Sequence, residues 1–313
     1  MKVIIFFTYG ISLKDWKDTG LLDREIRLYE YLIENFNLDI TFVTFGNQYD
    51  EEILDNENIK VVPIYKYFKK SKNTLFEVFK SVLYPIRLKN KISFQNNVLK
   101  TNQLWGAWIP IVVKIVYKTP LIVRTGYDLI TFKQKENKSK FKIKLYKLLT
   151  YTGLKYSDNY IVTSEADKIF LKETFRKHTE KITVVPNWVE TKFTSNKKRI
   201  EDKIVSVGRL EKQKNFKHLI AAFGNENIVL DIYGDGSEKE NLISFSKEKT
   251  LSVNFHGNIE NIKLRETLTQ YKYFCTSTMF EGNPKAILEA MAAGCVVIAP
   301  NVLGVNTIIK NEE

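Results

Sequence analysis

The sequence predicts an α/β protein with two doubly wound domains, each built on a parallel sheet with helices on both faces. Short β-prone apolar runs alternate with segments of helical spacing along the whole chain. A polar stretch, residues 186–203, divides this alternation into two sets and is interpreted as a linker. The 313 residues are long for one hydrophobic core and comfortable for two.

The first set begins with a continuous apolar run at residues 2–8, typical of a strand that is buried on both faces. Residues 10–20 follow as a predicted polar loop. Further strands are predicted at 40–45, 59–63, 121–124, 159–163 and 182–185. Helices are predicted at 23–35, 74–90, 105–116 and 141–156, and one more starts at Ser164 as N-cap, with Asp167 three residues on.

The second set repeats the alternation after the linker. Its strands are predicted at 203–207, 228–233, 252–256, 272–276 and 295–299, and its helices at 214–224, 237–248, 260–271 and 284–293. We therefore divide the chain into an N-terminal domain, 1–190, and a C-terminal domain, 191–313, with a cleft between them. In open α/β sheets ligands bind beyond the carboxyl ends of the strands, so functional residues are expected there.

The net charge of +12 lies mainly in the first half of the chain. Residues 66–100 contain nine lysines and arginines against Glu77 alone, and residues 133–147 contain seven lysines against Glu136. Such segments suit an anionic membrane surface or a nucleic acid, and they are also found on ordinary solvated surfaces. The two cysteines are too few for a disulfide framework or a zinc site, which favours the cytoplasm.

Glycines and polar residues follow the strands of the second set. Gly208 and Arg209 come directly after one strand and Lys214 lies five residues beyond Arg209, while Gly234 follows the next strand and Asn258 the third. Glycine lets a ligand approach the backbone, and two neighbouring cations suit a diphosphate. A ligand that carries a diphosphate is therefore expected at this edge of the sheet.

The stretch FEGNPKAILEAMAAGCVVIAP, residues 280–300, places two carboxylates around a helix start. Pro284 suits the first turn and Gly294 the C-cap, so the helix offers its N-terminal N–H groups to an anion or to sugar hydroxyls. Glu281 precedes the helix, and Glu289 lies within it among apolar neighbours, where an unused carboxylate is costly. The alternative is that Glu281 caps the helix and Glu289 is a surface residue.

Two stretches, VSVGRLEKQKNFKHLIAAF (205–223) and FEGNPKAILEAMAAGCVVIAP (280–300), resemble the donor domain of family 4 glycosyltransferases, the retaining, group 1 enzymes of GT-B fold. The match extends in order through LKTNQLWGAW (99–108), LIVRTGYDL (121–129), IVTSEADK (161–168) and VVPNWVE (184–190), and so covers nearly the whole chain. The resemblance implies two Rossmann-like domains, the first binding the acceptor and the second the nucleotide-sugar donor.

The resemblance also implies residue roles. Arg209 and Lys214 would hold the donor diphosphate and stabilise the leaving group, with Glu281 contacting the transferred sugar. The donor site would further comprise Gly208, Gly234, Asn258, Gly282, Asn283, Pro284 and Glu289, with Glu289 on the ribose and Gly234 and Asn258 near the nucleobase. Gly20 would lie in a loop that faces donor phosphate and acceptor. Fixed cations and a helix dipole stabilise a departing diphosphate without a metal, and no Asp-x-Asp motif is present, so no metal or cofactor is expected.

Two departures from the family pattern affect these expectations. Where many relatives carry a histidine near the sugar, this chain reads Lys100 to Gln103, so Asn102 or Gln103 is expected to contact sugar or acceptor. Relatives also continue beyond the equivalent of Glu313, which implies an incomplete C-terminal domain in a chain that is either truncated or naturally short.

The expected function is transfer of a hexose-type sugar from a UDP- or GDP-sugar to a glycan or lipid-linked acceptor, with retention, in polysaccharide or lipopolysaccharide synthesis. The basic segments 66–100 and 133–147 then suit the inner face of the plasma membrane. Alternatives are a GT-B-like nucleotide-sugar epimerase, a basic nucleic-acid-binding protein and an inactive partner subunit. Nucleic acid is not expected as a partner because no known binding module is present.

Overall fold

The computed structural model describes residues 1–54, 56–126, 130, 140–191, 198–223 and 228–309. The chain divides into two compact units. Unit 1 comprises Met1–Asp18 and Glu25–Pro186, and unit 2 comprises Thr19–Arg24 and Asn187–Glu313. Residues 133–139 of the second basic segment and residues 192–197 of the predicted linker lie outside the described residues.

Unit 1 contains a seven-stranded sheet in the order β3-β2-β1-β4-β5-β6-β7, with every pair parallel. Its strands are β1 Lys2–Phe6, β2 Asp39–Thr44, β3 Ile59–Pro63, β4 Val98–Thr101, β5 Leu121–Arg124, β6 Asn159–Val162 and β7 Ile182–Val184. The central strands are hydrophobic because helices cover them; Ile4, Leu99 and Val123 are fully buried.

The helices of unit 1 follow the predicted alternation. They are α1 Leu13–Asp18, α2 Leu22–Phe36 (whose first turn belongs to unit 2), α3 Ile64–Tyr67, α4 Thr74–Ser81, α5 Tyr84–Leu88, α6 Trp108–Tyr117, α7 Lys140–Tyr156 and α8 Glu165–Thr174. Ser164 caps α8 as predicted, since its side chain accepts a hydrogen bond from the Asp167 N–H. Among the described residues no helix is long and apolar enough to cross a membrane.

Unit 2 contains a five-stranded parallel sheet in the order β10-β9-β8-β11-β12. The strands are β8 Ile200–Val207, β9 Val229–Tyr233, β10 Val253–Gly257, β11 Tyr271–Cys275 and β12 Val296–Ile298. The helices are α9 Phe216–Ala222, α10 Lys239–Glu248, α11 Asn261–Leu268 and α12 Lys285–Ala292. The core of this unit includes Val205, Ile220, Leu230 and Phe274, all almost completely buried.

Three local predictions are wrong in detail. Residues 10–20 are not a loop throughout, because Asp50 accepts hydrogen bonds from the N–H groups of Leu13 and Lys14 and so starts α1. The stretch 74–90 is two helices, α4 and α5, broken before Pro85. The predicted linker ends earlier, because β8 begins at Ile200 and pairs there with Tyr271.

Both sheets are doubly wound, as predicted, and each has a point at which the strand order reverses. In unit 1 this point lies between β1 and β4, and in unit 2 between β8 and β11. The loops that leave the carboxyl ends of these pairs diverge to opposite faces and leave a crevice. The predicted residues Asn102 and Gln103 follow β4, and Gly208 and Arg209 follow β8.

Candidate functional site

The loops that follow β8 and β11 meet at the reversal point of unit 2 and are joined by hydrogen bonds. The Met279 N–H donates to the Gln213 carbonyl at 2.9 Å, and the Gln213 side chain donates back to the Phe280 carbonyl at 2.7 Å. The Ser277 hydroxyl donates to the Asn215 carbonyl at 2.8 Å. The two segments therefore form one rigid support for the side chains they carry.

Lys214 and Glu281 form an ion pair on this support. The Lys214 ammonium donates to Glu281 Oε1, and the Thr278 hydroxyl donates to the same oxygen at 2.9 Å. Only 16% of the Lys214 side chain and 11% of the Glu281 side chain are exposed, so water screens the pair weakly. The structure thus brings together two of the three predicted catalytic residues.

Gly208 and Gly234 allow the loops after β8 and β9 to touch. Gly234 has a φ of +137°, and a Cβ atom there would lie 2.0 Å from the Gly208 carbonyl oxygen. A Cβ atom on Gly208 would lie 3.5 Å from Lys214 Cε, an ordinary van der Waals contact, so the close approach requires glycine at position 234. These contacts keep side chains out of the edge of the sheet next to the ion pair.

Arg209 differs from Lys214 in that it is exposed. It lies next to Glu211, whose carboxylate accepts hydrogen bonds from the Ser237 hydroxyl and N–H at 2.9 and 3.2 Å. These bonds, with a smaller contribution from the Arg209 charge, lower the pKa of Glu211. The arginine is therefore available to an anion from solvent while its loop is held by Glu211.

The helix α12 begins at Lys285, one residue later than predicted. Pro284 is its N-cap residue in an extended conformation, without a side-chain cap, and Gly294 follows the C-cap with a φ of +75°. Glu289 is buried in this helix, only 2% exposed, and its Oε1 accepts a hydrogen bond from Asn261 Nδ2 of α11 at 2.9 Å. Glu289 is therefore not a surface residue. Asn261 supplies one of the hydrogen bonds that a buried carboxylate needs.

The loop before α12 is held by residues that the sequence did not single out. Asn187 donates its backbone N–H to Asn283 Oδ1 at 2.8 Å and its side-chain amide to the Asn283 carbonyl at 2.5 Å. A Cβ atom on Gly304 would lie 2.2 Å from the Glu281 carbonyl oxygen and 2.5 Å from that of Gly282. Asn187 lies in the quoted stretch VVPNWVE, so the family resemblance could have found it, whereas Gly304 carries no local signal.

The loop after β10 lies against the loop that carries Gly20, which belongs to unit 2. Gly20 has a φ of +70°, and a Cβ atom there would lie 3.0 Å from the Ile259 carbonyl oxygen. Asn258, next to Ile259, is exposed. The imidazole of His256 stacks on Tyr233 with ring centres 4.4 Å apart and contacts Asp231 Oδ1 through Nε2 at 2.9 Å.

The predicted residues of unit 1 lie at its own reversal point. The Asn102 N–H donates to the Phe6 carbonyl at 2.8 Å, so β1 fixes this position. Gln103 Oε1 accepts from the Gly126 N–H at 2.7 Å, which ties the loop after β4 to the loop after β5. In this structure Gln103 therefore holds neighbouring backbone.

Lys100, beside these residues, is a perturbed group that the sequence did not reveal. It lies under α2, where its ammonium is 3.4 Å from the Tyr29 hydroxyl. Burial, reinforced by the Arg124 charge and opposed by Glu25, lowers the pKa of Lys100 from 10.5 to about 7. The folded protein therefore holds this proton less tightly than the unfolded chain does.

We expect this lysine to make the protein more stable as the pH rises from about 7 to 10.5, because the unfolded chain then holds a proton that the folded chain lacks. Below pH 7 the folded state must carry the buried charge, and this gain is absent. Lys100→Met is expected to remove the slope and to raise stability at neutral pH by a few kcal/mol. Urea unfolding of both proteins at several pH values measures this, and parallel curves would contradict it.

Comparison with known proteins relates unit 2 to a known family. The model of the family described as "Glycosyl transferases group 1" matches residues 189–313. Residues 189–313 are therefore similar to a group 1 glycosyltransferase domain. Every element of the Lys214–Glu281 support and of α12 lies within the matched group 1 domain, which confirms the family resemblance.

Several relatives are named as glycosyltransferases. The chain is 31% identical over 222 residues to UDP-Gal:alpha-D-GlcNAc-diphosphoundecaprenol alpha-1,3-galactosyltransferase of Escherichia coli, covering 62% of this chain and 54% of that protein. It is 25% identical over 187 residues to a Campylobacter jejuni alpha-1,4-N-acetyl-D-galactosaminyltransferase that is named for an undecaprenol-linked glycan. This match covers 58% of this chain and 49% of that protein. The chain thus spans about half the length of these relatives.

Solved structures confirm the GT-B fold class. Anabaena HepE, solved in complex with UDP and glucose, superposes with a TM-score of 0.74 at 15% identity, over 99% of this chain and 83% of that one. Sucrose-phosphate synthase from Thermosynechococcus elongatus superposes with a TM-score of 0.77 at 15% identity, over 98% and 83% of the two chains. At this level of identity the likeness concerns the fold alone.

Proposed function

We propose that the protein is a retaining glycosyltransferase that moves a hexose-type sugar from a nucleotide-diphosphate donor to a glycan or lipid-linked acceptor. The observation that carries this proposal is the weakly screened Lys214–Glu281 pair at the reversal point of unit 2, beside the glycines Gly208 and Gly234. A cation, a carboxylate and open backbone at one sheet edge suit the phosphate and sugar parts of one ligand.

In this proposal the leaving diphosphate is bound by Lys214 and by the exposed Arg209. Negative charge grows on the diphosphate as the bond to the sugar breaks, and fixed cations stabilise it without reorganisation. The N-terminus of α12 adds the positive end of the helix dipole. Pro284 places no side-chain cap over the first turn, which suits an anion there. Lys214 then exchanges part of its contact with Glu281 for the phosphate, which frees the carboxylate for the sugar.

The remaining donor contacts follow from the same placement. Glu281 accepts hydrogen bonds from hydroxyls of the transferred sugar, and Gly282, Asn283 and Pro284 offer backbone to the sugar and phosphate. Glu289 binds the ribose, with Asn261 holding its carboxylate in place. Gly234 and Asn258 lie near the nucleobase.

Retention is proposed without a protein nucleophile. The bond from the anomeric carbon to the diphosphate oxygen breaks, and the acceptor oxygen attacks from the same face. The acceptor proton passes to the departing diphosphate, which thereby serves as the base. Unit 1 supplies acceptor contacts from Asn102 and Gln103 at its reversal point, and Gly20 of unit 2, on the loop that follows α1, faces donor phosphate and acceptor.

The comparisons favour a UDP-sugar and a lipid-linked acceptor within this proposal. Structural relatives were solved with UDP, and the Escherichia coli and Campylobacter jejuni relatives are named for undecaprenol-linked acceptors. A role in cell-surface polysaccharide or lipopolysaccharide synthesis follows. We further propose a cytoplasmic protein, peripheral on the anionic inner face of the plasma membrane through the basic segments 66–100 and 133–147.

Calorimetric titration with UDP and with GDP tests the donor site. We expect micromolar binding of UDP and weaker binding of GDP. Glu289→Gln and Arg209→Ala are each expected to weaken UDP about 10- to 100-fold, because each removes a charged hydrogen-bonding group. Glu266→Gln, an exposed carboxylate on α11, is the matched control and is expected to bind as the unaltered protein does.

Two results would contradict the donor-site proposal. One is UDP binding that is unchanged in both site variants, which would place the nucleotide elsewhere. The other is conversion of the bound UDP-sugar to an isomer when no acceptor is present, which would indicate an epimerase.

A further inference from the structure

Helices α4 and α5 of unit 1 present large apolar side chains to solvent. On α4, Phe79 is 75% exposed, Leu75 74% and Phe76 62%. Leu83, between the two helices, and Ile86, on α5, are about half exposed. Single exposed apolar residues are ordinary, but five on one short helix pair form a contiguous hydrophobic face. We call these five residues the α4–α5 face.

The orientation of this face is fixed by polar residues on the inner side of α4. Glu77 is 2% exposed, accepts a hydrogen bond from the Ser71 N–H at 2.7 Å and is bonded by the Tyr84 hydroxyl. Ser81 is completely buried and accepts from Trp108 Nε1 at 2.8 Å. Rotating α4 to bury its phenylalanines would break these bonds and expose the partners, so the outward apolar face belongs to the folded state.

A groove of about 410 Å³ runs along this face and combines apolar walls with cations. Phe76, Phe79, Leu83 and Tyr84 line it together with Lys80 and Arg87. Exposed lysines flank the α4–α5 face in the sequence, namely Lys69, Lys70, Lys72, Lys89 and Lys91. Glu77, the one acidic residue between 66 and 100, is turned inward and adds no negative surface.

We propose that the α4–α5 face inserts into an anionic lipid bilayer, with its aromatic and aliphatic side chains among the acyl chains and Lys80 and Arg87 at the phosphate level. Apolar insertion flanked by lysines matches a membrane interface, whereas the core of a protein–protein interface is depleted of lysine. The inference deepens the membrane contact of the proposed function, which by itself rests on charge alone. It does not depend on sugar transfer.

Flotation with lipid vesicles tests this insertion on the full chain. The probes are vesicles of phosphatidylcholine alone and of equal parts phosphatidylcholine and phosphatidylglycerol. We expect binding to the anionic vesicles that persists in part at salt concentrations that screen surface charge. The double variant Phe76→Ser, Phe79→Ser is expected to lower the partition coefficient at least about tenfold.

The matched control is Phe36→Ser, because Phe36 is also 62% exposed but lies at the end of α2, away from the face. It is expected to bind vesicles as the unaltered protein does. Both variants change only exposed side chains, so both are expected to remain folded. A direct readout is Phe79→Trp, whose emission is expected to shift to the blue and to be quenched by brominated lipids, with Phe36→Trp showing neither.

Three outcomes would overturn the inference. One is equal vesicle binding by the Phe76→Ser, Phe79→Ser and Phe36→Ser proteins. Another is complete loss of binding in high salt, which would leave electrostatic contact only. The third is a dimer that the double variant disrupts while vesicle binding is absent, which would make a second copy of the chain the occupant. UDP titration of the same proteins keeps the two proposals apart, since failure of nucleotide binding with intact insertion would count against the donor site alone.

Discussion

Replacement of Lys214 by methionine is expected to lower the rate of sugar transfer by about 10²–10³, the largest effect that we expect on activity. Methionine keeps most of the length of the lysine stem that packs beside Gly208 but removes the charge that would meet the leaving diphosphate. It also removes the cation from the Glu281 carboxylate, whose side chain is only 11% exposed and which then keeps the hydrogen bond from the Thr278 hydroxyl. Initial rates of transfer with a saturating acceptor measure this loss.

Glu281→Gln completes a double-mutant cycle with this change. Each single change breaks the same ion pair, so the double variant is expected to be less impaired than the product of the two single effects. The matched control is Lys212→Met, in the same turn, because Lys212 is exposed and Lys214 is not. It is expected to keep its activity within about twofold, since surface changes of this kind have small effects.

The cycle distinguishes catalysis from folding. Breaking a weakly exposed ion pair also lowers stability, by about 3–5 kcal/mol for a fully buried pair and by less here. Circular dichroism therefore has to show folded protein at the assay temperature. Strictly multiplicative rate effects in a folded double variant, or transfer by Lys214→Met at more than about a third of the normal rate, would show that the pair does not act on the donor.

Most strands were predicted because they are continuous apolar runs that local pattern reveals, but β4, Val98–Thr101, was not predicted. β5 begins and ends at the predicted residues, and the cap at Ser164 is found as expected. The start of β8 was missed because Glu201 and Asp202 are polar and exposed there. Pairing of Ile200 with Tyr271, distant in the chain, extends that strand, and no local pattern records such a pairing.

The candidate site shows the same division between local and distant information. The helix start at Pro284 and the carboxylates around it were evident from a single stretch of sequence. Asn187 and Asn283 are joined by two hydrogen bonds across 96 positions, and Asn261 reaches Glu289 across 28. The role of such polar residues cannot be predicted from local sequence, because their hydrogen-bond partners are distant in the chain. A family resemblance can supply that information, as it could for Asn187.

Residue spacing alone could not show whether the α4–α5 face points to the core or to solvent. Phe76, Phe79, Leu83 and Ile86 fit the inner face of an amphipathic helix as well as an outer one. Glu77 decides between the two, because its bonds to Ser71 and Tyr84 hold the polar side inward. The bond from Trp108 to Ser81, 27 positions apart, holds the same side inward, so the orientation of this helix pair depends on hydrogen bonds that residue spacing does not record.

Gly234→Ala is expected to cause a large loss of stability, at least about 3 kcal/mol. The φ of +137° is a conformation that alanine rarely adopts, and the added Cβ would lie 2.0 Å from the Gly208 carbonyl oxygen. Because both atoms in this overlap are fixed to backbone, no side-chain rotation relieves it, and β8 and β9 have to separate at their carboxyl ends.

Gly257→Ala separates the strain of a positive φ from this overlap. Gly257 lies at the end of the neighbouring strand with a φ of +71°, and no atom lies within 4 Å of the Cβ it lacks. This control is expected to cost only about 1–2 kcal/mol, the ordinary preference of alanine against left-handed backbone. Urea unfolding compares the two variants with the unaltered protein.

The same pair of variants connects packing to function. If Gly234 is required because two loops must touch where a nucleotide binds, Gly234→Ala weakens UDP binding even at temperatures where it is fully folded, whereas Gly257→Ala binds UDP nearly as well as the unaltered protein. Equal losses of stability in the two variants would mean that the loops move apart easily. The close approach of Gly208 and Gly234 would then not be what shapes the edge of the sheet beside Lys214.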